Sequence, residues 1–262
     1  MHTDLRFGDF ANVLSDVSNV DLVLTSPPYN IGSKQKKSIG GRCSGGYDAK
    51  NFGGITEYPD NMPEEDYQAW QVDTIVKLST LLSDDGVIAY NHKIRHSGTI
   101  VKGHVVTSAI HPLTWIYKAM EEANLCLVEE IIWDRGSTMN HTKARCYDQS
   151  ERLWILCKQG ARVYFRNQPF YWENGENKGV GNVWRIPPDV RNEHNAPFPE
   201  KFARQIIKMW CPPGGLVCDP FTGSGTTMIS AIKEGCSFVG AEKTRKYYHL
   251  SMANRKQALC QM

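Results

Sequence analysis

The chain has 262 residues, 41% of them hydrophobic, and a formal net charge of +2 at pH 7. This length suits one large α/β domain, alone or with a small insertion, and is too great for a small scaffold that depends on disulfides. Because the net charge is close to zero, any binding to nucleic acid would depend on local basic patches.

The 8 cysteines are scattered and form no Cys-x-x-Cys pair. This pattern argues against a structural zinc site and suits the reducing cytoplasm, where we expect the protein to be. No apolar stretch approaches the roughly 20 residues of a membrane span. The first residues do not resemble a signal peptide. We therefore expect neither a metal nor a membrane partner.

The first part of the chain predicts two short strands and a stiff turn. Residues 5–10 predict a strand that ends at Gly8-Asp9, and residues 20–24 predict a buried strand. The second strand leads directly into Thr25-Ser26-Pro27-Pro28-Tyr29-Asn30. The prolines remove backbone donors and fix φ. Open α/β sheets bind ligands at the carboxyl ends of their strands, so this turn is a predicted site.

Residues 31–55 are rich in Gly, Ser and Lys and predict a long loop. Its basic side chains suit contacts with phosphates, although a solvated loop without a partner is an alternative; they are Lys34, Lys36, Lys37 and Arg42. A helix is predicted over residues 63–82, a turn at 84–86 and a strand over 87–91. His92 and Lys93 follow that strand at the predicted site edge.

The middle of the chain combines further elements with basic stretches. Residues 94–111 are predicted to be irregular, residues 112–123 a helix, and residues 125–133 and 151–157 strands. Between and after these strands, basic residues alternate with Asn, Gln and aromatic residues, which suits contacts to phosphates and base edges. The basic residues assigned to such contacts are Arg135, Lys143 and Arg145.

A glycine-rich turn over residues 220–227 is the main feature of the last part of the chain. A helix over 200–210 and a strand over 215–219 precede it, and a helix over 228–234 follows. Such a turn lets a ligand approach backbone amides. It is neither a Walker loop, since no Lys follows, nor the full dinucleotide fingerprint, since the third glycine is missing. Glu242 ends the next strand, about 20 residues on, where an acid can accept both ribose hydroxyls of a nucleoside.

Together these motifs resemble those of the β-arranged DNA amino-methyltransferases. In that family the catalytic motif precedes the S-adenosylmethionine motif, as Thr25-Ser26-Pro27-Pro28-Tyr29 here precedes Asp219-Pro220-Phe221-Thr222-Gly223-Ser224-Gly225-Thr226-Thr227. The segment from His194 to Glu200 is similar to the one that completes the cofactor pocket, and Gly8-Asp9 also fits. The resemblance covers essentially the whole chain.

The resemblance implies a single catalytic domain with a Rossmann-like class I methyltransferase fold. This is an α/β fold whose mostly parallel, twisted sheet has about seven strands and helices on both faces. A mobile basic loop, 32–55, and a target-recognition region, about 134–185, are inserted. S-adenosyl-L-methionine is the implied cofactor and double-stranded DNA the implied substrate. A cognate restriction endonuclease and a second copy of the chain are further expected partners.

The resemblance also assigns the cofactor pocket. Gly223 and Gly225 would bring backbone against the methionine part of the cofactor. Glu242 would bind the ribose hydroxyls, and Asp9 would lie near the adenine. The other positions assigned to cofactor binding are Thr25, Phe198, Pro199, Asp219, Phe221, Thr222, Ser224 and Thr226.

The catalytic residues implied are Ser26, Pro27, Pro28 and Tyr29. An exocyclic amino group is a poor nucleophile, and the Ser26 hydroxyl and the Pro27 carbonyl can accept its two N–H hydrogens. Tyr29 would stack on a base rotated out of the duplex. Transfer is then a direct displacement that depends on positioning. No cysteine nucleophile is needed, and the Pro-Cys motif of ring-carbon methylation is absent.

The target base is less well defined. Ser26 and the His-x-Ala-x-Phe-Pro form at 194–199 favour cytosine N4, whereas Asn30 is frequent among adenine enzymes, so adenine N6 stays open. The incomplete glycine fingerprint disfavours a nicotinamide dehydrogenase, and the motif order disfavours protein-glutamine and RNA methylases. A catalytically silent DNA-binding module is the non-enzyme alternative, but no motif is broken.

Overall fold

The computed structural model describes residues 2–30, 61–96, 99–101, 104–106, 108–136, 146, 148–165, 180–188 and 198–260. Several predicted features lie outside these residues. They are most of the segment His194–Glu200, the basic loop 32–55 with its four DNA-contact residues, and the further contacts Lys143 and Arg145.

The described chain alternates strands and helices. The strands are β1 (Thr3–Phe7), β2 (Val20–Thr25), β3 (Leu82–His92), β4 (Arg95–His96), β5 (Thr99–Val101), β6 (His104–Val106), β7 (Ala109–Ile110), β8 (Leu125–Asp134), β9 (Ser150–Lys158), β10 (Val183–Arg185), β11 (Leu216–Asp219) and β12 (Ser237–Glu242). The helices are α1 (Phe10–Val13), α2 (Glu64–Leu81), α3 (Leu113–Glu122), α4 (Glu200–Trp210), α5 (Thr226–Lys233) and α6 (Arg245–Cys260).

One 8-stranded sheet organises the fold, in the order β1-β12-β11-β2-β3-β9-β8-β10. The pairs β3–β9 and β8–β9 are antiparallel, and the other pairs of this sheet are parallel. The prediction of a mostly parallel α/β sheet is confirmed, with eight strands in place of about seven. β2 and β11, which precede the two predicted motifs, are neighbours in this sheet although they lie far apart in the sequence.

Helices cover both faces of the sheet, as predicted. Successive residues of a strand point to opposite sides, so one strand packs against both helix layers. On β2, Leu22 and Leu24 pack in a core cluster that includes residues of α4 and α5. Val23, on the other face, packs in a second cluster, which includes residues of α2 and α3. Val20 also belongs to that cluster and lies beyond the register shift between Val20 and Leu22. A strand buried on both faces requires an almost continuous apolar run, and residues 20–24 provide one.

Two stretches differ from the sequence predictions. The strand predicted over 87–91 begins at Leu82, but its register against β2 shifts where the turn at 84–86 was expected. Residues 94–111, predicted to be irregular, contain the antiparallel pairs β4–β7 and β5–β6. Strands of two or three residues have too few positions to show a period of two, so the sequence pattern misses them.

The predicted target-recognition region also overlaps the sheet. Within 134–185, residues Ser150–Lys158 form β9 and Val183–Arg185 form β10, both in the main sheet. Trp184, an aromatic residue of this region, is 4% exposed and packs against Phe202 in the core. The extent of an inserted recognition region stays a prediction.

Within the described ranges, none of the helices has both the length and the apolar character that a bilayer span requires.

Candidate active site

The two predicted motifs meet at one edge of the sheet. β2 and β11 are parallel neighbours, with Leu22 opposite Val217 and Val23 opposite Cys218. At their carboxyl ends the buried hydroxyl of Thr25 donates a hydrogen bond of 3.1 Å to Asp219 Oδ1. The Ser-Pro-Pro-Tyr turn and the glycine turn therefore leave the sheet side by side, as the resemblance requires.

Asp219 organises the start of the glycine turn. Besides Thr25, its carboxylate accepts bonds from the Phe221 amide at 3.0 Å and from the Thr227 hydroxyl at 2.6 Å. Burial disfavours the charged form and raises the pKa of Asp219 to about 6, although these hydrogen bonds oppose the shift. The residue therefore connects the two motifs through internal contacts.

Glu242 holds the other side of the glycine turn. Its Oε2 accepts a bond of 2.8 Å from the Gly223 amide, and its Oε1 accepts one of 2.7 Å from the Thr244 amide. The side chain is 3% exposed, and burial raises its pKa. The Glu242 carboxylate thus holds the glycine turn against the end of β12. Each oxygen retains a lone pair, and ribose binding by Glu242 stays a prediction.

Gly225 is needed for packing against α6. Its φ of 92° is in the left-handed region. A Cβ there would lie 3.1 Å from Ser251 Oγ and 3.2 Å from Met228 Cε. Ser251 also donates a bond of 2.6 Å to the Gly223 carbonyl. Contacts with protein atoms therefore already require a glycine at this position, and approach of the cofactor to its backbone stays a prediction.

We expect Gly225→Ala to lower the free energy of unfolding by about 2–4 kcal/mol, through left-handed strain and contact with Ser251. Gly235→Ala is the matched control, because Gly235 has a φ of 72° but no atom within 4 Å of its added Cβ. It should lose only about 1–2 kcal/mol. Urea unfolding measures both values. Equal losses would show that the packing against α6 contributes nothing.

The exposed parts of this edge fit a nucleoside cofactor. Asp9 caps α1 by accepting the Ala11 amide at 3.1 Å, and its other oxygen receives Lys243 at 3.3 Å. The half-buried ring of Phe221 packs edge-on against Phe10, with a centroid distance of 5.2 Å. Carboxylates that accept from hydroxyl and amino groups, together with an aromatic ring, suit the ribose and adenine of S-adenosylmethionine.

Other assigned pocket residues make internal contacts. The Thr222 hydroxyl donates to the Asp219 carbonyl at 3.0 Å. Phe198 is 6% exposed and packs on Phe202. The remaining positions are Pro199, which precedes α4, Ser224, which is buried, and Thr226, which begins α5. Direct cofactor contacts by these side chains stay predictions.

Helix α2 supports the Ser-Pro-Pro-Tyr turn. The Pro28 carbonyl accepts a bond of 2.7 Å from the Tyr67 hydroxyl and one of 3.3 Å from Gln71 Nε2. Asn30 has a φ of 51°, and its side chain bonds both the amide and the carbonyl of Met62 at 2.8 and 2.9 Å. The turn is thus fixed at Pro28 and at its end.

The hydroxyl of Ser26 belongs to a polar cluster at the site. Its Oγ lies 2.7 Å from the Tyr29 hydroxyl, which in turn lies 3.0 Å from Glu151 Oε2. Asn91 Nδ2 donates to Tyr29 at 2.8 Å and to Glu151 at 2.9 Å. Arg135 Nη1 donates to Glu151 Oε1 at 2.6 Å. We refer to Ser26, Tyr29, Asn91, Glu151 and Arg135 as the Ser26 cluster.

The sequence analysis did not single out Asn91 or Glu151. Both lie in predicted strands, and they meet because β9 runs antiparallel to β3 and so begins where β3 ends. A carboxylate at the start of the apolar run 151–157 was the available signal. Without the strand pairing, that signal does not place Glu151 beside Ser26.

The structure contradicts a DNA contact by His92. The side chain is 0% exposed, and its Nδ1 donates to the Lys93 carbonyl at 2.7 Å. Its Nε2 lies 2.8 Å from the Tyr67 hydroxyl. Burial lowers the pKa of His92 to about 3, so the ring is neutral at pH 7. It instead packs against Tyr29, with ring centroids 4.3 Å apart.

Lys93 and Arg135 lie at the site. Lys93 Nζ is 5.6 Å from the centroid of the Tyr29 ring. Arg135 forms its ion pair with Glu151 while 27% of its side chain remains exposed. DNA contacts by these two residues stay predictions. Stacking of Tyr29 on a base also stays a prediction, and His92 leaves only the opposite ring face for it.

The chain resembles known DNA methyltransferases in sequence and in fold. The Type II methyltransferase M.BglI of Bacillus subtilis is 34% identical over 145 residues, which are 52% of this chain and 41% of that protein. Among solved structures, the PvuII DNA methyltransferase (cytosine-N4-specific) has a TM-score of 0.72 at 20% identity, covering 96% of this chain and 86% of that one. The putative DNA modification methylase TTHA0409 of Thermus thermophilus, complexed with S-adenosyl-L-methionine, has a TM-score of 0.69 at 22% identity, covering 98% and 94%.

The two structures share the fold of this chain, and the chain spans less than half of M.BglI. The family itself follows from a match along most of the sequence. Because the model of the N6/N4 methyltransferase family, described as DNA methylase, matches residues 20–253, the chain belongs to this family of DNA methylases.

Proposed function

We propose that the protein transfers the methyl group of S-adenosylmethionine to the exocyclic amino group of a base in double-stranded DNA, with cytosine N4 as the favoured target. The observation that carries this proposal is the Thr25–Asp219 hydrogen bond of 3.1 Å. It fixes the Ser-Pro-Pro-Tyr turn, which carries the amino-group acceptors, beside the glycine turn, which suits the cofactor.

The residues of the first turn act on the amino group. When bound, S-adenosylmethionine supplies a methyl group on a positively charged sulfur. The Ser26 hydroxyl and the Pro27 carbonyl accept the two N–H hydrogens, which directs the nitrogen lone pair toward the glycine turn. Once methylated, the nitrogen loses one of these two protons to solvent and becomes neutral. The support from Tyr67 at the Pro28 carbonyl keeps these acceptors in place. Positioning of this kind supplies much of the rate of a displacement.

The target base must leave the duplex, since its amino group cannot be reached inside the stack. Tyr29 stacks on the flipped base with the ring face opposite His92. Lys93 and Arg135 contact the phosphates nearby, together with the basic loop 32–55. The segments between β8 and β10 that are outside the sheet read the target sequence.

Ser26 supports cytosine as the target. The residue that pointed to adenine was Asn30, and its amide group is already engaged with Met62. That contact explains an asparagine at position 30 without reference to the target base. Adenine N6 is the second candidate, because the family model covers both amino groups. A restriction endonuclease of the same specificity, a homodimer and a cytoplasmic location complete the proposal.

Analysis of the labelled nucleosides tests the proposal. The purified protein is incubated with tritiated S-adenosylmethionine and unmethylated genomic DNA, and the DNA is then digested to nucleosides. We expect the label in N4-methylcytosine. Label in N6-methyladenine would move the target to adenine. The absence of label from genomic DNA of several base compositions would refute DNA methylation.

A further inference from the structure

The carboxylate of Glu151 is buried in the site, and neither motif accounts for it. The residue is 6% exposed and begins the antiparallel strand β9. Its Oε2 faces the Tyr29 hydroxyl and Asn91 Nδ2, and its Oε1 faces Arg135. Enclosing a carboxylate carries a desolvation cost, which its ion pair and hydrogen bonds must offset.

The chemistry of the Ser26 cluster determines the direction of its hydrogen bonds. The Glu151 carboxylate, paired with Arg135, only accepts, and an amide nitrogen only donates. The orientation of the Asn91 amide follows, because its oxygen cannot face the carboxylate at 2.9 Å. The single proton of Tyr29 must likewise point to Glu151, since two oxygens 3.0 Å apart need a proton between them.

The same reasoning extends to Ser26. Because the proton of Tyr29 is directed to Glu151, the contact of 2.7 Å between Ser26 and Tyr29 is a bond that the Ser26 hydroxyl donates. Burial and the nearby Glu151 charge raise the pKa of Tyr29, which keeps the phenol protonated. A directed chain results, from Ser26 through Tyr29 to Glu151. The Ser26 oxygen also accepts a long bond of 3.4 Å from Asn91 Nδ2, and it has a lone pair left to present to a further partner.

We propose that Glu151 is a positioning residue that acts through Tyr29 to hold the Ser26 hydroxyl as a hydrogen-bond acceptor toward the target amino group. This inference rests on the proposed function. In the opposite direction, the Ser26 proton would be free to point at the amino group and would oppose the N–H hydrogens. Glu151 thereby selects the orientation that the reaction requires.

The buried Asn91 Oδ1 is consistent with a site prepared for a donor. Among the described residues it has no hydrogen-bond partner. Glu151 prevents the amide from turning to satisfy this oxygen internally. A buried acceptor without a partner is costly unless a ligand supplies the donor.

Glu151→Gln tests the inference with little change of shape. The Gln side chain has one acceptor oxygen and one donor nitrogen. The nitrogen would face either Arg135 or the pair Asn91 and Tyr29, and in both cases a donor would face a donor. We expect kcat to fall about 10- to 100-fold, the loss typical of a misplaced reacting group. The KM values for DNA and S-adenosylmethionine should stay within about twofold.

Two variants serve as controls. Glu130→Gln removes the same charge from the neighbouring strand β8, where Glu130 pairs with Arg152 at 3.4 Å and 39% of its side chain is exposed. It should keep wild-type kcat. Glu151→Asp keeps the carboxylate and should recover part of the rate lost in Glu151→Gln. An unrecovered rate would overturn the role of the carboxylate as an acceptor.

A double-mutant cycle with Tyr29→Phe tests whether Glu151 acts through Tyr29. Once the phenol hydroxyl is removed, we expect Glu151→Gln to change kcat by less than about threefold, because the chain is already broken. Independent losses in the double variant would refute the inference. If Glu151→Gln fails to fold, the same cycle is measured with Glu151→Asp.

Wild-type activity separates this inference from the proposed function. A wild-type protein that does not label DNA would refute the methyltransferase proposal. An active wild-type protein with an equally active Glu151→Gln variant would refute only the role of Glu151.

Discussion

Replacing Ser26 with alanine is expected to lower the rate of DNA methylation by about 10²–10³-fold, with the affinity for S-adenosylmethionine unchanged within about twofold. The alanine removes an acceptor aimed at the amino group. It leaves intact the Thr25–Asp219 bond and the contact of Glu242 with Gly223, which hold the cofactor edge. The loss should therefore appear in kcat.

Single-turnover methylation and calorimetric binding of S-adenosylmethionine measure the two quantities separately. Ser15→Ala is the matched control, because the Ser15 hydroxyl is exposed and donates only to the Asn12 carbonyl at 3.0 Å. A Ser26→Ala variant within about threefold of the wild-type rate would show that this hydroxyl is not the acceptor.

Asp219→Asn is expected to remove a pH dependence of stability of roughly 3 kcal/mol. The folded-state pKa of Asp219 is about 6, above its ordinary value of 3.8. Below both values the carboxyl is protonated in both states and contributes no difference. Between them the unfolded chain loses the proton while the folded protein keeps it, so stability falls as the pH rises. Above the folded pKa the loss is constant.

Urea unfolding of the wild type and of Asp219→Asn at pH 4.5 and pH 7 measures about 2 kcal/mol of this effect, because about 1 kcal/mol is already lost at pH 4.5. The variant should gain stability relative to the wild type as the pH rises, and the comparison cancels the contributions of all other groups. Asp73→Asn is the control, since the Asp73 side chain is 53% exposed. A stability difference between wild type and Asp219→Asn that does not change with pH would mean that burial does not disfavour the charged form of Asp219.

Much of the fold and of the cofactor edge follows from the sequence. Apolar runs such as residues 20–24 predict strands buried on both faces, and a parallel sheet places the ends of such strands at one edge. That is why the positions of Ser26, Gly223 and Glu242 could be expected before the structure. Ser26 directly follows β2, Glu242 ends β12, and Gly223 lies in the turn that follows β11.

The support of the site could not be predicted in the same way. Glu151 reaches Ser26 because β9 pairs antiparallel with β3, and strand pairing is not written in the local pattern. The burial of His92 depends on Tyr67 and Trp115, which come from two different helices. A residue at a strand end looks exposed until the helices that cover it are placed.

The bond between the Asn30 side chain and Met62 has a consequence for how such enzymes diverge. The two ends of the segment 31–60 are joined next to the catalytic turn, so the strain of lengthening or shortening the segment is not passed to Ser26. Since closing a longer loop adds little free energy once its ends are fixed, new contacts with DNA can be acquired in this segment without rebuilding the chemistry. The two Asn30–Met62 hydrogen bonds thus separate a change in the length of this segment from the geometry of the catalytic turn.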